Sequence, residues 1–212
     1  MSGTLNLLNG ELGKAIISGV SGSTGIDENK TNSVLTMALP VLMAAMKRNA
    51  ATPEGANVLI GALNSKHDGS ILDNLSGLFS GGVDDNIRQD GDKILGHVLG
   101  DKRQGVEKVL GKKFGLDRAS IDTILKVAAP ILMGVLGKRS KQYNVSSSSD
   151  LEGLLGGLLG ANNPQEEQNF IDKILDADGD GSVIDDISGM VLGKAGGSKS
   201  ELVSLLGGLF GK

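Results

Sequence analysis

Three aspartates stand at alternate positions ahead of a glycine near the carboxyl end of the chain, as Asp176, Asp178, Asp180 and Gly181. Carboxylate oxygens at positions 1, 3 and 5 of a loop, with a glycine at position 6 for the sharp turn, form the first half of an EF-hand calcium loop. In this register Ser182 would supply a backbone carbonyl oxygen. The spacing therefore predicts one calcium site between two helices.

The second half of this loop, which would span residues 176–187, departs from the EF-hand pattern. Ile184 and Ile187 stand at positions 9 and 12, and position 12 normally holds a bidentate carboxylate. Asp185 and Asp186 are the nearest acids, and either closes the coordination sphere only if the loop is shortened. The alternative interpretation is an acidic turn whose carboxylates cap the following helix. Calcium is favoured because crowded carboxylates repel one another unless a cation neutralises them.

Outside the acidic loop, the sequence contains little that indicates catalysis. The chain has no cysteine, which excludes disulfides, thiolate metal sites and a cysteine nucleophile. No phosphate-binding, nucleophile-elbow or zinc-protease motif is present. The two histidines are 30 positions apart, and we interpret His67 as a surface residue and His97 as a structural or partly exposed one. We therefore predict a protein that is not an enzyme.

The composition predicts a core of aliphatic side chains. Of the 212 residues, 39% are hydrophobic, but the chain contains no Trp, one Tyr and four Phe. It contains 33 glycines, many of them inside Leu-rich periodic segments, where each costs up to about 1 kcal/mol of helix propensity. We expect close approach of helices to compensate. The net charge of -4 divides into -7 for the residues from Asp150 onward and +3 for those before it.

A gapless internal match indicates a duplication. The 24 residues from Gly25 align with those from Gly115, and both copies contain a capping Asp, helical apolar spacing and a proline, Pro40 or Pro130. We predict two equivalent long helices, each kinked or broken at its proline and each preceded by a shorter amphipathic helix. No segment alternates as a strand would. The predicted fold class is all-α, an internally duplicated helical bundle with a small C-terminal helix-loop-helix region.

The chain divides into three predicted parts. Residues 1–143 form the duplicated helical domain, with repeat halves at about 1–50 and 91–140. Residues 144–149 are a serine-rich linker. Residues 150–212 form an acidic tail rich in Gly and Leu, in which SDLEGLLGGLLG from Ser149 is echoed by SELVSLLGGLFG. Glycines four apart on a helix let backbones approach, so these segments are candidate association faces.

The repeated helices with their prolines, the segment DGDKILGHVLG and the tail segment DADGDGSVIDDISGM together resemble a bacterial family, domain of unknown function 937. The resemblance covers about residues 1–140, and the Leu-Gly segments and acidic loop often accompany that family. It implies a bacterial helical protein. It supplies no catalytic residues, because the family has no established activity.

The predicted function is non-enzymatic interaction or assembly, with self-association or a protein partner held through the helices rich in Gly and Leu, and with a possible calcium cofactor. The alternative is an uncharacterised enzyme with a site between the duplicated helices. Nucleic-acid binding is disfavoured by the acidic balance and the missing aromatic partners. It would require one continuous basic face made by Lys102, Arg103, Lys112, Lys113, Lys138 and Arg139.

No segment has 18 uninterrupted apolar residues and no signal peptide is evident, so we expect a cytoplasmic protein with no membrane span.

Overall fold

The structure is a computed structural model that describes residues 8, 10–79, 83–160, 171, 174 and 175. Nearly all of these residues are helical, and none of them lies in a β-strand. The predicted all-α fold class is confirmed.

The described helices follow one another with short connections. Their bounds are α1 (Glu11–Thr24), α2 (Glu28–Asn49), α3 (Pro53–Ser65), a 3₁₀ helix (Ser70–Asn74), α4 (Leu75–Phe79), α5 (Asp85–Leu99), a second 3₁₀ helix (Gly100–Lys102), α6 (Arg103–Phe114), α7 (Arg118–Tyr143) and α8 (Ser148–Gly160).

The two long helices start as the sequence predicts. The Asp27 carboxylate accepts hydrogen bonds from the Asn29 and Lys30 amides at the start of α2, and Asp117 accepts one from the Ser120 amide at the start of α7. Shorter helices, α1 and α6, precede them. Both long helices continue through Pro40 and Pro130, so a break at the proline is wrong. Both prolines are buried, and burial of the surrounding apolar turn offsets the hydrogen bond that each proline removes.

Helix α7 lies at the centre of the core. Its buried side chains extend along most of its length, and it contacts α1, α2, α3, α5, α6 and α8, most extensively α5. Close approach of helices compensates for some of the glycines. A Cβ atom on Gly91 of α5 would lie 1.8 Å from the Lys126 carbonyl oxygen of α7, and one on Gly137 would lie 1.7 Å from the His67 carbonyl oxygen. Only a residue without a side chain allows these backbone contacts.

A tight connection joins α7 to the last described helix. Asn144 ends α7 in the left-handed conformation, and the Asp150 carboxylate accepts hydrogen bonds from the Ser146 and Ser147 amides at the start of α8. Helix α8 then packs on α2 and α3. Its buried leucines, Leu151, Leu155 and Leu158, belong to the main core. The division into domains, halves and linker stays a prediction.

Most of the acidic tail lies outside the described residues. All six predicted calcium ligands, Asp176, Asp178, Asp180, Ser182, Asp185 and Asp186, are in that part of the sequence. Three residues that precede them are described: Ile171, Ile174 and Leu175 are helical and buried in the main core. The tail therefore contributes apolar side chains to the same core as α7.

One helix among the described residues, α7, is long and apolar enough to cross a membrane by length and composition. Its most apolar window is 72% buried among the other helices. A mostly buried core helix of a soluble protein satisfies the same criteria.

Candidate functional site

The largest group of charged side chains in the described structure lies where α5, α6 and α7 meet. We call it the ion-pair cluster, and its members are Asp92 of α5, Arg103 and Glu107 of α6, and Arg118, Asp122 and Lys126 of α7. Three carboxylates and three cations are present, so the cluster has no net formal charge. It is the candidate functional site because it gathers three carboxylates and three cations around the buried Glu107.

Local sequence brings these residues together in two steps. Arg103 and Glu107 are four residues apart, as are Asp122 and Lys126, and this spacing places each pair on one helical face. The contact at Gly91 then holds α5 directly against the Lys126 carbonyl oxygen of α7. Asp92, the next residue of α5, therefore lies beside the charged face of α7.

Arg103 is the centre of the cluster. Its Nε atom lies 2.9 Å from Glu107 Oε1, and its Nη2 atom lies 2.9 Å from Asp92 Oδ1 and also donates to Asp122 Oδ1. The two cations of α7 complete the network. Arg118 Nε is 3.0 Å from Glu107 Oε2, and Lys126 Nζ is 2.8 Å from Asp122 Oδ2 and 3.1 Å from Asp92 Oδ1. Each carboxylate thus contacts two cations.

The cluster shifts the pKa values of its members in different directions. Burial raises the pKa of Glu107, which is only 3% exposed, and this outweighs the hydrogen bond from Arg103. Burial would also raise the pKa of Asp122, but hydrogen bonds from Lys126 and Arg103 hold it below its ordinary value. The pKa of Asp92 is lowered by hydrogen bonds from the same two cations.

This arrangement is suited to joining helices. Arg103 donates to groups on all three helices, and its planar guanidinium fixes their relative orientation. A substrate would have to displace an existing ion pair to reach any of the three carboxylates. The contacts of the ion-pair cluster therefore favour a structural lock over general acid or base catalysis.

A second polar site surrounds the turn between α3 and the first 3₁₀ helix. His67 is only 8% exposed, so its interpretation as a surface residue is wrong. Its backbone carbonyl fits the space left by Gly137 of α7, which explains the burial. His67 Nδ1 lies 3.8 Å from Asp90 Oδ2, and Lys66 also pairs with Asp90. Burial lowers the pKa of the His67 imidazole, although the Asp90 carboxylate acts in the opposite direction.

The turn opens onto a cavity of about 480 Å³ between the turn and α5. Lys66, His67, Ser70, Asp90 and Lys93 contribute polar side chains to its wall. The imidazole and carboxylate are too far apart for a direct hydrogen bond. No nucleophile is oriented by them among the contacts described, so this cavity lacks the relay that nucleophilic catalysis requires.

An open cleft of about 1010 Å³ lies between the end of α7 and α8. We call it the α7–α8 cleft. Its apolar wall includes Leu72, Val135, Leu154 and Leu158, and its polar wall includes Lys138, Arg139, Gln142, Tyr143 and Asp150. Gly153 and Gly157 also line it, and a Cβ atom on either would meet no atom of the described residues within 4 Å. Among these residues, the cleft therefore exposes the backbone of α8 along one face.

The candidate site residues named from the sequence differ from those that the structure brings together. From the sequence, Arg103 is considered only as one of six residues of a possible basic face, and the other five members of the ion-pair cluster are not singled out. The spacing of four residues between Arg103 and Glu107, and between Asp122 and Lys126, is the signal that could have indicated them. Among the described residues, no group of three or more His, Cys, Asp and Glu is placed to hold a metal ion.

Comparison with known proteins gives one result. A family model described as bacterial protein of unknown function (DUF937) matches residues 6–139 and, separately, residues 143–212. No curated protein and no solved structure matches the chain.

Proposed function

Because this chain belongs to the bacterial protein family of unknown function DUF937, we propose its role from its geometry: it is a non-enzymatic assembly protein that associates through the α7–α8 cleft. The observation that carries this proposal is the open glycine face of α8. A helix backbone that no other described residue covers, at the wall of a cleft, is a surface on which a second helix can lie closely.

The packing of α8 supports this proposal. One face of the helix is anchored, since Leu151, Leu155 and Leu158 are buried against α2 and α3. The glycines at Gly153 and Gly157 are four residues apart on the face that lines the cleft. The helix is therefore held rigidly while its small residues remain accessible, and rigid presentation lowers the entropic cost of association.

The contacts and positions of the charged side chains fit an assembly role better than nucleic-acid binding or catalysis. Arg103 is already bound by three carboxylates. Lys138 lies 20 residues beyond Arg118 on α7, which is roughly 30 Å at a rise of about 1.5 Å per residue, whereas Lys112 and Lys113 precede α7. These positions disfavour a single basic surface. The carboxylates of the ion-pair cluster are neutralised within the protein, which supports a scaffold over an enzyme.

Filling the glycine face should abolish self-association. We expect the double variant Gly153→Gln, Gly157→Gln to remain monomeric at concentrations at which the unmodified protein forms dimers or larger species. The reason is that two added side chains, whose Cβ atoms would meet no atom of the described residues within 4 Å, would hold a partner helix away from the backbone. Sedimentation equilibrium at several protein concentrations would measure the change.

The matched control is Gly61→Gln on α3, where a Cβ atom also has open space but lies outside the cleft. This variant should associate as the unmodified protein does, and all variants should keep the helical circular dichroism spectrum. A monomeric unmodified protein, or equal association by the double variant and the control, would contradict assembly through this face.

We also propose calcium binding by the acidic loop, since three carboxylates at alternate positions before a glycine favour a divalent cation. Asp176, Asp178 and Asp180 would supply side-chain oxygens, Ser182 a carbonyl oxygen, and Asp185 or Asp186 the last ligand. Binding to the folded state would stabilise it by mass action.

Calorimetric titration with calcium tests this second proposal. We expect heat of binding for the full-length protein and its loss in the double variant Asp176→Ala, Asp180→Ala, because two of the three converging carboxylates are removed. The control is Asp73→Ala in the first 3₁₀ helix, which removes an acid elsewhere in the chain. If the full-length protein gave no heat of calcium binding and its melting temperature did not change in EDTA, calcium binding by the acidic loop would be excluded.

A further inference from the structure

A buried imidazole beside the turn after α3 has no hydrogen-bond partner among the described residues. The side chain of His67 is only 8% exposed, and its Nδ1 atom lies 3.8 Å from Asp90 Oδ2, which is beyond hydrogen-bond distance. The fully enclosed side-chain atoms that lack a partner in this part of the chain are Arg88 Nε and Ser140 Oγ. The imidazole nitrogens are therefore not enclosed, and the ring lines the cavity of about 480 Å³, which we call the His67 cavity. Because buried polar groups normally have a partner, this ring is available to a ligand.

Contacts with α7 hold the imidazole in place. Gly69 has φ of 101° and packs so closely on α7 that a Cβ atom would lie 2.9 Å from the Lys138 Cβ atom. The Asp68 carboxylate, directly after His67, pairs with Lys141 Nζ at 2.7 Å. The turn is thus fixed to the central helix, and a preformed site loses little conformational entropy when a ligand binds.

One face of α5 forms the opposite wall of the His67 cavity. Four polar residues at spacings of three and four line the cavity from the same side of this helix: Asn86, Gln89, Asp90 and Lys93. Asp90 pairs with Lys66 at the end of α3, so these two charges cancel. Lys93 is exposed and has no ion pair within the described part of the chain. It therefore leaves the cavity wall with one positive charge.

We propose that the His67 cavity binds a small phosphorylated molecule, with the phosphate group between Lys93 and His67. A phosphate monoester carries close to two negative charges at neutral pH. Lys93 neutralises one and a protonated imidazole the other, each through a charge-assisted hydrogen bond. Ile71 and Ile87 also line the cavity, whose volume of about 480 Å³ suits a small organic ligand. This proposal does not rest on assembly, because the cavity and the α7–α8 cleft share none of their described lining residues.

Binding of a phosphate should be coupled to uptake of a proton by the ring. Burial lowers the pKa of His67 in the free protein, which outweighs the opposite effect of the Asp90 carboxylate, so the imidazole is largely neutral at pH 7. The charged groups that face the ring are Lys66, Asp90 and Lys93, whereas Asp68 pairs with α7. A phosphate dianion beside the ring favours its charged form and raises this pKa.

Calorimetric titration of the full-length protein with phenyl phosphate at pH 7 tests the site. We expect a dissociation constant on the order of 1 mM, and weaker binding of inorganic phosphate, which cannot cover the two isoleucines. The heat should vary with the ionisation heat of the buffer because a proton is taken up. Lys93→Gln should weaken binding about tenfold through loss of a charge-assisted hydrogen bond. Lys108→Gln, at an exposed position of α6 outside the cavity, should bind as the unmodified protein does.

Nuclear magnetic resonance of the unmodified protein gives a second test that needs no variant. The pKa of His67, measured from its ring resonances, should rise when phenyl phosphate is added, and His97 on α5 outside the cavity serves as the internal control. Benzoate, with a single charge, should bind more weakly and leave His67 neutral. The proposal is overturned by an absence of binding up to about 10 mM, by equal weakening in Lys93→Gln and Lys108→Gln, by an unchanged His67 titration, or by tighter binding of benzoate.

Discussion

Replacing Gly91 with alanine should destabilise the protein by about 3 kcal/mol, the upper end of what overpacking costs. The added Cβ atom would lie 1.8 Å from the Lys126 carbonyl oxygen, which is backbone and cannot rotate away. Helices α5 and α7 would have to separate at their most extensive contact, beside Asp92. Urea denaturation followed by circular dichroism would measure the loss, which corresponds to a fall in melting temperature of about 6–12 °C for a chain of this length.

Gly96 provides the matched control on the same helix. A Cβ atom there would meet no atom within 4 Å, so Gly96→Ala adds helix propensity without a clash. We expect this variant to be more stable than the unmodified protein by about 0.5–1 kcal/mol. Equal effects at the two positions would show that propensity, and not the contact between α5 and α7, decides the cost.

Short-range patterns predicted the helix ends because capping depends on neighbouring residues. A Thr followed by Pro is typical of a helix start, and the Thr52 hydroxyl does accept a hydrogen bond from the Gly55 amide, with Pro53 as the first residue of α3. Ser70 is likewise a residue type that favours the capping position of a helix. The structure instead places Gly69 before the 3₁₀ helix, with the Asp68 carboxylate accepting from the Ser70 amide. That cap depends on the left-handed turn packed against α7, which the local pattern does not contain.

The glycines show which helix contacts a single sequence does not predict. Their number predicted close helix contacts, and Gly91 and Gly137 confirm this. Gly96 and Gly153 stand in equally periodic helical segments, yet a Cβ atom on either would meet no atom of the described residues within 4 Å. Which glycine is covered depends on the rotation of each helix about its axis. A single sequence gives the apolar face of a helix but not the partner opposite its small residues.

The ion-pair cluster was missed for a related reason. Asp92 and Arg103 are 11 residues apart, and Arg103 and Asp122 are 19 apart, so their contacts join three different helices. Periodicity places Arg103 on a face of α6 but does not reveal that this face is covered by carboxylates of α5 and α7. The sequence therefore suggests Arg103 only as part of a possible basic face and not as the partner of three carboxylates. The burial of Glu107 depends on the same tertiary contacts.

Replacing Arg103 with methionine should cost about 2–3 kcal/mol of stability at pH 7. Methionine keeps the length and apolar stem of the side chain but removes the donor that contacts Asp92, Glu107 and Asp122. Glu107 is buried and Asp122 is partly buried, so leaving these two carboxylates with fewer partners is expensive, whereas Asp92 is half exposed and contributes little. The remaining cations Arg118 and Lys126 limit the cost to less than that of a fully unpaired ion. Urea denaturation would measure the change. Lys108→Met, at an exposed position of the same helix, should change stability by no more than about 0.5 kcal/mol.

The cost of Arg103→Met should shrink as the pH falls, which separates lost charge pairing from lost packing. In the unmodified protein, the lowered pKa values of Asp92 and Asp122 contribute stability above their ordinary value of 3.8, and this stability is lost as the pH falls through the values in the folded state. Without Arg103 both shifts diminish, and the already raised pKa of Glu107 rises further, which favours the variant at acid pH. Denaturation at pH 7, 5 and about 3.5 should therefore show the two proteins converging in stability. A difference that stays constant across this range would assign the effect to packing of the Arg103 stem and would contradict the role of the ion-pair cluster as an electrostatic lock.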